Sequence, residues 1–294
     1  MKKQTKVWLS LAIVLSLLSL ASGCGNKEAT DTNKDTNAGG NAAQKYSGPT
    51  GTVSGVVSFT GTPAAPKKID TSADPVCGQK NPNLAVEDTV VKDGKLANVF
   101  VYVKDGQTAD GKKLSDFTWD TPTTAVTLDQ NGCHYRPHIL GIQTNQKLNI
   151  TNSDPTQHNI HWTPKVNPEW NQSQPNGAPP IEKSFARAEI LVPVKCNQHP
   201  WMRAFIGVMK TPFFAVTAED GSFTIKDLPA GKYTVVAWHE APAPAGTEKT
   251  MEVTVPASGS GKADFSFGAA ATTNLKPSLE IVPAIEVPII GTRH

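Results

Sequence analysis

The sequence predicts an all-β protein built from two β-sandwiches. Short runs rich in Val, Ile, Thr and Phe recur along the chain, separated by turn signals such as EDGS, LPAG, KDGK and NSDP. Gly and Pro number 23 each among 294 residues, which is typical of a loop-rich β protein. No segment after residue 50 keeps a convincing helical period, and the length accommodates two domains.

The strands are predicted where apolar and polar residues alternate, or where a short apolar run is bounded by turn residues. In chain order, the predicted strands are 53–60, 97–104, 125–129, 146–151, 190–195, 204–208, 213–217, 222–225, 233–239, 250–255 and 263–267. We find no internal sequence repeat.

The charge balance argues against a nucleic-acid partner. The chain has 28 Lys and Arg against 26 Asp and Glu, a formal net charge of +2. A nucleic-acid-binding protein usually carries a clear basic excess.

Residues 1–23 resemble the signal peptide of a bacterial lipoprotein. Lys2, Lys3 and Lys6 form a basic region, an apolar run follows, and small residues lead to Cys24. The resemblance implies a lipid-modified Cys24 as the first mature residue, and so a protein anchored outside the cytoplasm, in the periplasm or at the cell surface. An ordinary secretory signal with an incidental cysteine is the alternative.

Two segments offer little to a folded core. Residues 24–50 are polar and rich in Gly, Ala and Asn, which predicts a flexible tether. The tail, 269–294, is rich in Pro and Ile. An edge strand, a partner-binding peptide and disorder all remain open for the tail.

Four cysteines are present, at positions 24, 77, 133 and 196. If Cys24 carries lipid and Cys196 binds metal, Cys77 and Cys133 remain, and an oxidising compartment favours a disulfide between them. That bond would contribute ~3–4 kcal/mol in the chain-entropy model. Two reduced thiols or a further metal site are the alternatives.

The stretch KCNQHPWM places Cys196, His199 and Met202 at three-residue intervals, and QHNIHW lies about forty residues upstream with His158. A thiolate, two imidazoles and a weak thioether suit copper, which can change oxidation state in such a site with little rearrangement. Zinc more often takes four strong ligands and has no need of Met. The pattern therefore predicts one mononuclear copper site.

These paired motifs resemble those of the cupredoxins, and the short ligand loop of amicyanin in particular, over about residues 124–210. The resemblance implies a Greek-key sandwich in which His158, Cys196, His199 and Met202 bind copper. It also implies that Asn159 forms a hydrogen bond to the ligand loop. His161 is the alternative to His158, although its position in the family pattern packs near the site without binding the metal.

The sequence departs from the cupredoxin pattern in two places. Many cupredoxins have aromatic residues just before the cysteine, whereas this chain has LVPVKC. Pro200 has no N–H, so its backbone cannot donate a hydrogen bond to the thiolate, and this should affect the reduction potential.

The remaining histidines favour structural interpretations. His134 and His138 flank Cys133 and suggest a second metal site, but a strand beside a disulfide explains them more simply. His239 lies in a predicted strand, where we expect a structural role.

A second resemblance covers the two ends of the folded region. The stretches GTVSGVVSFTGTP and LANVFVYVKDG, together with DGSFTIKDLPAGKYT and its continuation, resemble the carboxypeptidase regulatory-like sandwich, a transthyretin-like fold. The resemblance implies a discontinuous domain, 51–110 and 211–268, with the cupredoxin-like domain, 111–210, inserted in it or fused to it.

Four protein ligands leave no open position for a substrate, so the sequence favours an electron carrier over an enzyme. In cupredoxins the second histidine, here His199, lies nearest the surface, which places Pro200 and Trp201 in a docking patch for a redox protein such as a cytochrome or a terminal oxidase. The alternatives are a copper enzyme or a non-catalytic subunit of one, and a copper-handling or structural surface protein.

Overall fold

The computed structural model describes residues 44–241 and 246–268. The predicted signal peptide, the lipid-modified Cys24, most of the tether and the tail lie outside the described residues. No helix among the described residues is long and apolar enough to cross a membrane.

Strands dominate the described residues, which confirms the all-β prediction. Those of the first half are β1 (Gln44–Lys45), β2 (Thr50–Thr60), β3 (Val91–Lys92), β4 (Lys95–Leu96), β5 (Phe100–Thr108), β6 (Phe117–Thr118), β7 (Val126–Gln130), β8 (Tyr135–Arg136), β9 (Ile139–Gln143) and β10 (Leu148–Asn152). Those of the second half are β11 (His158–Trp162), β12 (Trp170–Gln174), β13 (Ile181–Lys183), β14 (Glu189–Lys195), β15 (Arg203–Met209), β16 (Phe214–Val216), β17 (Ser222–Pro229), β18 (Gly231–His239), β19 (Thr247–Val255), β20 (Ser260–Lys262) and β21 (Phe265–Gly268). One α-helix, α1 (Pro75–Lys80), and one 3₁₀ turn, Leu114–Asp116, complete the elements.

The strands form two sandwiches. The outer sandwich pairs the sheet β16-β5-β18-β19 with the sheet β17-β2-β4-β3, and β20 and β21 run parallel to β2. The central sandwich pairs the sheet β13-β10-β7-β8 with the sheet β12-β11-β14-β15-β9. A separate parallel pair joins β1 to β6.

Strand alternation places the two sandwiches face to face. On β5, Val101 and Val103 enter the core of the outer sandwich, while Phe100 and Tyr102 face the opposite way into a third apolar cluster. On β15, Ile206 enters the core of the central sandwich and Met209 joins that third cluster. Because successive side chains point to opposite faces, a strand buried on both faces reads as a continuous apolar run.

Close contact between the sandwiches depends on small residues. A Cβ atom added to Gly207 would lie 2.3 Å from the ring of Phe100, and one added to Gly141 would lie 2.3 Å from the ring of Phe214. Such distances are well inside van der Waals contact, so the two glycines create the space that the rings occupy.

All eleven predicted strands are present, with ends shifted by a few residues. Ten further strands were not predicted, namely β1, β3, β4, β6, β8, β9, β11, β12, β13 and β20, and neither was α1. The helix does carry a start signal. Asp74 is its N-cap, with a side chain that accepts a hydrogen bond from Val76 N, and Pro75 occupies the first helical position.

The domain boundaries expected from the sequence do not match the packing. Ile69, Cys77 and Leu84 were assigned to the regulatory-like domain, but they pack into the core of the central sandwich. Conversely, Leu114 and Trp119, assigned to the cupredoxin-like domain, pack against the core of the outer sandwich. Strand patterns locate the sheets, but they do not indicate which core a connecting segment covers.

The predicted tether overlaps the fold in its last seven residues. Strand β1 pairs with β6, and the Tyr46 ring lies 5.1 Å from that of Phe117. Thr50 already belongs to β2. An aromatic residue in this otherwise polar segment gives it apolar surface to bury, which offsets part of its ordering entropy.

The predicted disulfide between Cys77 and Cys133 is present. It ties the segment that contains α1 to the turn before β8 in the central sandwich. This cross-link is the main covalent feature that positions the site described next.

Candidate metal centre

Three donor groups meet at one end of the central sandwich. His158 is the first residue of β11, and Cys196 and His199 lie in the loop after β14. His158 Nδ1 is 2.9 Å from His199 Nδ1, and that atom is 3.6 Å from Cys196 Sγ. All three side chains are buried, with 0%, 2% and 4% of their surface exposed for His158, Cys196 and His199.

The ligand loop is closed by two backbone hydrogen bonds. Cys196 N donates to Met202 O at 3.1 Å, and Met202 N donates to His199 O at 2.9 Å. These bonds fix a tight turn between β14 and β15, so the spacing seen in the sequence becomes a defined geometry. Met202 is fully buried in the central core. Its role as an axial ligand stays a prediction.

Asn159 connects the two halves of the site. Its Oδ1 accepts a hydrogen bond from Asn197 N at 2.6 Å and lies 3.3 Å from Cys196 Sγ. Its Nδ2 donates to Asn171 Oδ1 on β12. The structure thus contains the link from Asn159 to the ligand loop that the sequence resemblance implied.

The second ring nitrogen of His158 meets a buried carboxylate. His158 Nε2 lies 3.0 Å from Asp154 Oδ2, and Asp154 has no exposed surface. The carboxylate also accepts hydrogen bonds of 2.7 Å from the backbone N–H groups of Gly132 and Cys133. Asp154 therefore connects the imidazole of His158 to the backbone of Cys133, the disulfide cysteine just before β8.

The second ring nitrogen of His199 also meets a carboxylate. His199 Nε2 lies 2.9 Å from Asp74 Oδ2, at the N-terminus of α1. His199 remains the least buried of the four predicted ligands, but its outer edge is covered by Asp74.

The three donor side chains strongly influence one another's pKa values through hydrogen bonds and charge. Burial alone would raise the pKa of Cys196, but hydrogen bonds from His158 and His199 outweigh it and lower the pKa to about 6. Burial would lower the pKa of His158, but Asp154 and the cysteine raise it to about 9. Bonds to Cys196 and Asp74 likewise raise the pKa of His199 against the effect of burial. The site thus favours a thiolate, the form of cysteine that binds metals.

The donor set fits a copper ion. One sulfur and two imidazole nitrogens lie within 4.8 Å of one another. Bond lengths of about 2.0–2.3 Å to one shared ion are compatible with such spacing. A thiolate with two imidazoles in a buried site is the ligand combination that copper electron-transfer sites use.

Two aromatic residues pack around the ligand loop, one distant in sequence and one in the loop itself. Tyr135 is fully buried, and its hydroxyl donates to Asn159 O. Burial raises the pKa of the Tyr135 phenol, and the charge of Cys196 raises it further. Trp201 lies 5.1 Å from His199, ring to ring, and its Nε1 donates to Cys133 O at 3.1 Å. Aromatic rings therefore adjoin the site although LVPVKC contains none.

The other histidines lie apart from this cluster. His161 bonds to Asn197 Oδ1 at 3.0 Å and to Glu169, with its side chain partly exposed. His134 and His138 pair with different carboxylates, Glu87 and Glu240, and no metal-binding group in the described part of the chain includes either histidine. His239 is buried and contacts the backbone of Ala241.

Sequence reasoning missed three residues that shape this site: Asp74, Asp154 and Tyr135. Asp154 lies in NSDP, where a turn explains an aspartate without any further role. Asp74 precedes a proline, a helix-start signal that says nothing about a distant histidine. Only the folded chain shows that both carboxylates are turned toward the imidazoles.

No protein-family model and no curated protein matches the chain. Among solved structures, a mutant of amicyanin with Cu(I) is 20% identical, with a TM-score of 0.26, over 30% of this chain and 86% of that chain. A second amicyanin mutant with Cu(I) is 17% identical, with a TM-score of 0.26, over 38% of this chain and 98% of that chain.

A Cu-containing nitrite reductase from Thermus scotoductus SA-01 is 19% identical, with a TM-score of 0.25, over 29% of this chain. The chain spans only 22% of that enzyme. At these identities and TM-scores, the similarities do not by themselves establish a function for this chain.

Proposed function

We propose that the protein carries single electrons through one copper ion held by His158, Cys196 and His199, with Met202 as the axial ligand. The observation that carries the proposal is the convergence of one thiolate sulfur and two imidazole nitrogens within 4.8 Å in a buried site. Bound there, copper supplies one-electron chemistry. The chain supplies a rigid cage, because β11, β14 and β15 are neighbours in one sheet.

The burial of the site supports a carrier over an enzyme. Each proposed ligand exposes no more than 4% of its surface. Both imidazoles have their second nitrogen bonded to a carboxylate, so neither ring is free to serve a substrate as an acid or base. Within the described residues, the burial of all four ligands therefore limits the access of a small molecule to the metal position.

A redox protein, such as a cytochrome or a terminal oxidase, is the proposed partner. Pro200 is exposed and Trp201 half-buried, and the Trp201 ring lies beside His199. Redox partners dock weakly over small areas, so such a patch is sufficient. Lipid attachment at Cys24 would hold the carrier at a bacterial membrane, outside the cytoplasm.

Optical and EPR spectra of the copper-loaded protein test the proposal. We expect about one copper per chain and an intense visible absorption band, as thiolate ligation of Cu(II) gives. Cys196→Ala should abolish the band, and His161→Ala, which alters a neighbouring imidazole outside the cluster, should retain it. Absence of the band from the wild-type protein would refute the proposal.

Two methionine variants test the proposed axial ligand, and two further results would favour the alternative functions. Met202→Leu should alter the spectrum, whereas Met209→Leu, a buried methionine between the sandwiches, should not. More than one copper per chain would favour an enzyme. Redox-silent copper that transfers readily to an acceptor would favour a copper-handling protein.

A further inference from the structure

In both imidazoles of the metal centre, Nε2 forms a hydrogen bond to a carboxylate that is not one of the proposed ligands. We propose that Asp74 and Asp154 are positioning residues that fix the two imidazoles and lower the reduction potential of the bound ion. This inference rests on the proposed copper-carrier function and deepens it.

The hydrogen bonds fix the orientation of each ring. A carboxylate can only accept, so the nitrogen facing it, Nε2, carries the hydrogen in both histidines. The Nδ1 atoms then face each other, 2.9 Å apart, with Cys196 Sγ beside them. A second hydrogen bond of this kind fixes the ring that binds a metal and increases its basicity.

Asp154 is held by more than its imidazole. With no exposed surface, it accepts hydrogen bonds from two backbone N–H groups, at Gly132 and Cys133, in addition to that of His158. The same oxygen, Oδ2, serves both Cys133 and His158. The carboxylate therefore cannot turn away from the ring without losing buried hydrogen bonds.

Asp74 is held in a similar way, but by a helix. Its Oδ1 accepts from Val76 N at 3.0 Å, and its Oδ2 accepts from Thr156 Oγ1 at 3.0 Å and from His199. The backbone of Cys77 donates to Asp74 O. Because Cys77 is bonded to Cys133, one disulfide anchors both carboxylates.

The charge of these groups has a predictable effect on the metal. An anion near the ion stabilises the oxidised form more than the reduced form, because the oxidised form carries more positive charge. Rings fixed in both states also limit the rearrangement that accompanies electron transfer. Removing one carboxylate charge should therefore raise the reduction potential.

Asp74→Asn is the sharpest test, because asparagine caps a helix about as well as aspartate and so removes the charge while retaining the cap. The matched control is Asp70→Asn, at an exposed residue of the same segment whose side chain accepts a hydrogen bond from Ser72 N. We expect Asp74→Asn to weaken Cu(II) binding relative to Cu(I) by about tenfold, equivalent to about +59 mV for one electron. The control should leave the potential near that of the wild type.

Equal shifts in the two variants, or a lower potential in Asp74→Asn, would overturn the proposal for Asp74. The variant Asp74→Glu keeps the charge and should restore most of the wild-type potential. Failure of that rescue, in a protein that retains the wild-type spectrum, would also count against a role for the charge.

A measurement on the metal-free protein separates this inference from the copper proposal. The Nε2–H protons of His158 and His199 should give slowly exchanging, downfield NMR resonances. Asp74→Ser keeps a helix-capping side chain but shortens it, so the His199 resonance should disappear while that of His158 persists. A His199 resonance that survives in Asp74→Ser, or the absence of the His158 resonance from the wild type, overturns the assignment whether or not copper binds.

Discussion

The outer and central sandwiches bury apolar cores of equal size but differ in what else they bury. Each core contains 19 buried apolar side chains. Eleven of the fifteen buried polar or charged side chains in the described residues lie in the central sandwich, in the range 130–199. Buried polar groups need partners, so the central sandwich requires a more extensive hydrogen-bond network than the outer sandwich.

The comparison shows how a binding site is built into a β-sandwich. In the outer sandwich, stability follows from packing, and its inward-facing side chains alternate regularly along the strands. In the central sandwich, His158, His199 and Asp154 occupy buried positions that apolar side chains would otherwise fill. Residues 69–87, which include α1 and cover the central core, form the covering segment. This segment supplies Asp74 as a partner for His199, and the disulfide holds it in place.

The largest expected effect concerns the outer core alone. Phe213 is 1% exposed, and its ring lies 4.7 Å from that of Trp119. Phe213→Ala should lower the free energy of unfolding by about 3–5 kcal/mol, because it leaves a cavity. Urea unfolding measures the loss, and metal binding by the folded protein should be unchanged. A milder Phe213→Leu, expected to cost less than about 1.5 kcal/mol, is the control.

Removing the disulfide should affect the central sandwich in two ways. The double variant Cys77→Ala and Cys133→Ala should lose about 2–4 kcal/mol of unfolding free energy, since the unfolded chain is no longer cross-linked. Metal affinity, measured by competition with a chelator, should fall as well, because Asp74 and Asp154 lose their common anchor. Reduced stability with unchanged metal affinity would contradict this expectation. It would mean that the disulfide stabilises the central sandwich without holding Asp74 and Asp154 at the site.

A smaller effect is expected at Glu87 of the covering segment, whose contribution to the free energy of unfolding depends on pH. Burial would raise the pKa of Glu87, but the hydrogen bond from Arg136 and the charge of His134 outweigh it, so the net shift is downward. A lowered folded-state pKa stabilises the protein above the unfolded-state value, and this contribution is lost as the pH falls through the folded-state pKa.

Glu87→Gln should therefore reduce stability near pH 7 and have little effect at an acidic pH below the folded-state pKa of Glu87, where the wild-type carboxylate is protonated as well. Unfolding curves at the two pH values measure the difference. A loss that is the same at both would contradict an electrostatic role. Glu182→Gln, which removes an exposed pair with Lys147, should change stability by less than about 1 kcal/mol at either pH.

Much of the fold was predictable because strands have a local signature. The alternation in 233–239 and the turn residues around it specify a strand without reference to any partner. Strand β12, in contrast, reads WNQSQ with few apolar residues, and it exists because it pairs with β11 at the sheet edge. A strand that depends on its neighbour more than on its own pattern escapes prediction from sequence.

The sequence by itself determined the donor types, through the spacing of Cys196, His199 and Met202 and the paired HNIH motif. The spacing of residues in a short loop restricts where their side chains can lie, so the loop sequence alone is enough to predict which donor groups come together. The tertiary structure alone decided which carboxylates stand behind the imidazoles, which core the α1 segment covers and how far His199 is closed off. Asp74 and His199 are 125 residues apart, and no local pattern encodes a contact made by folding a disulfide-linked segment over a distant loop.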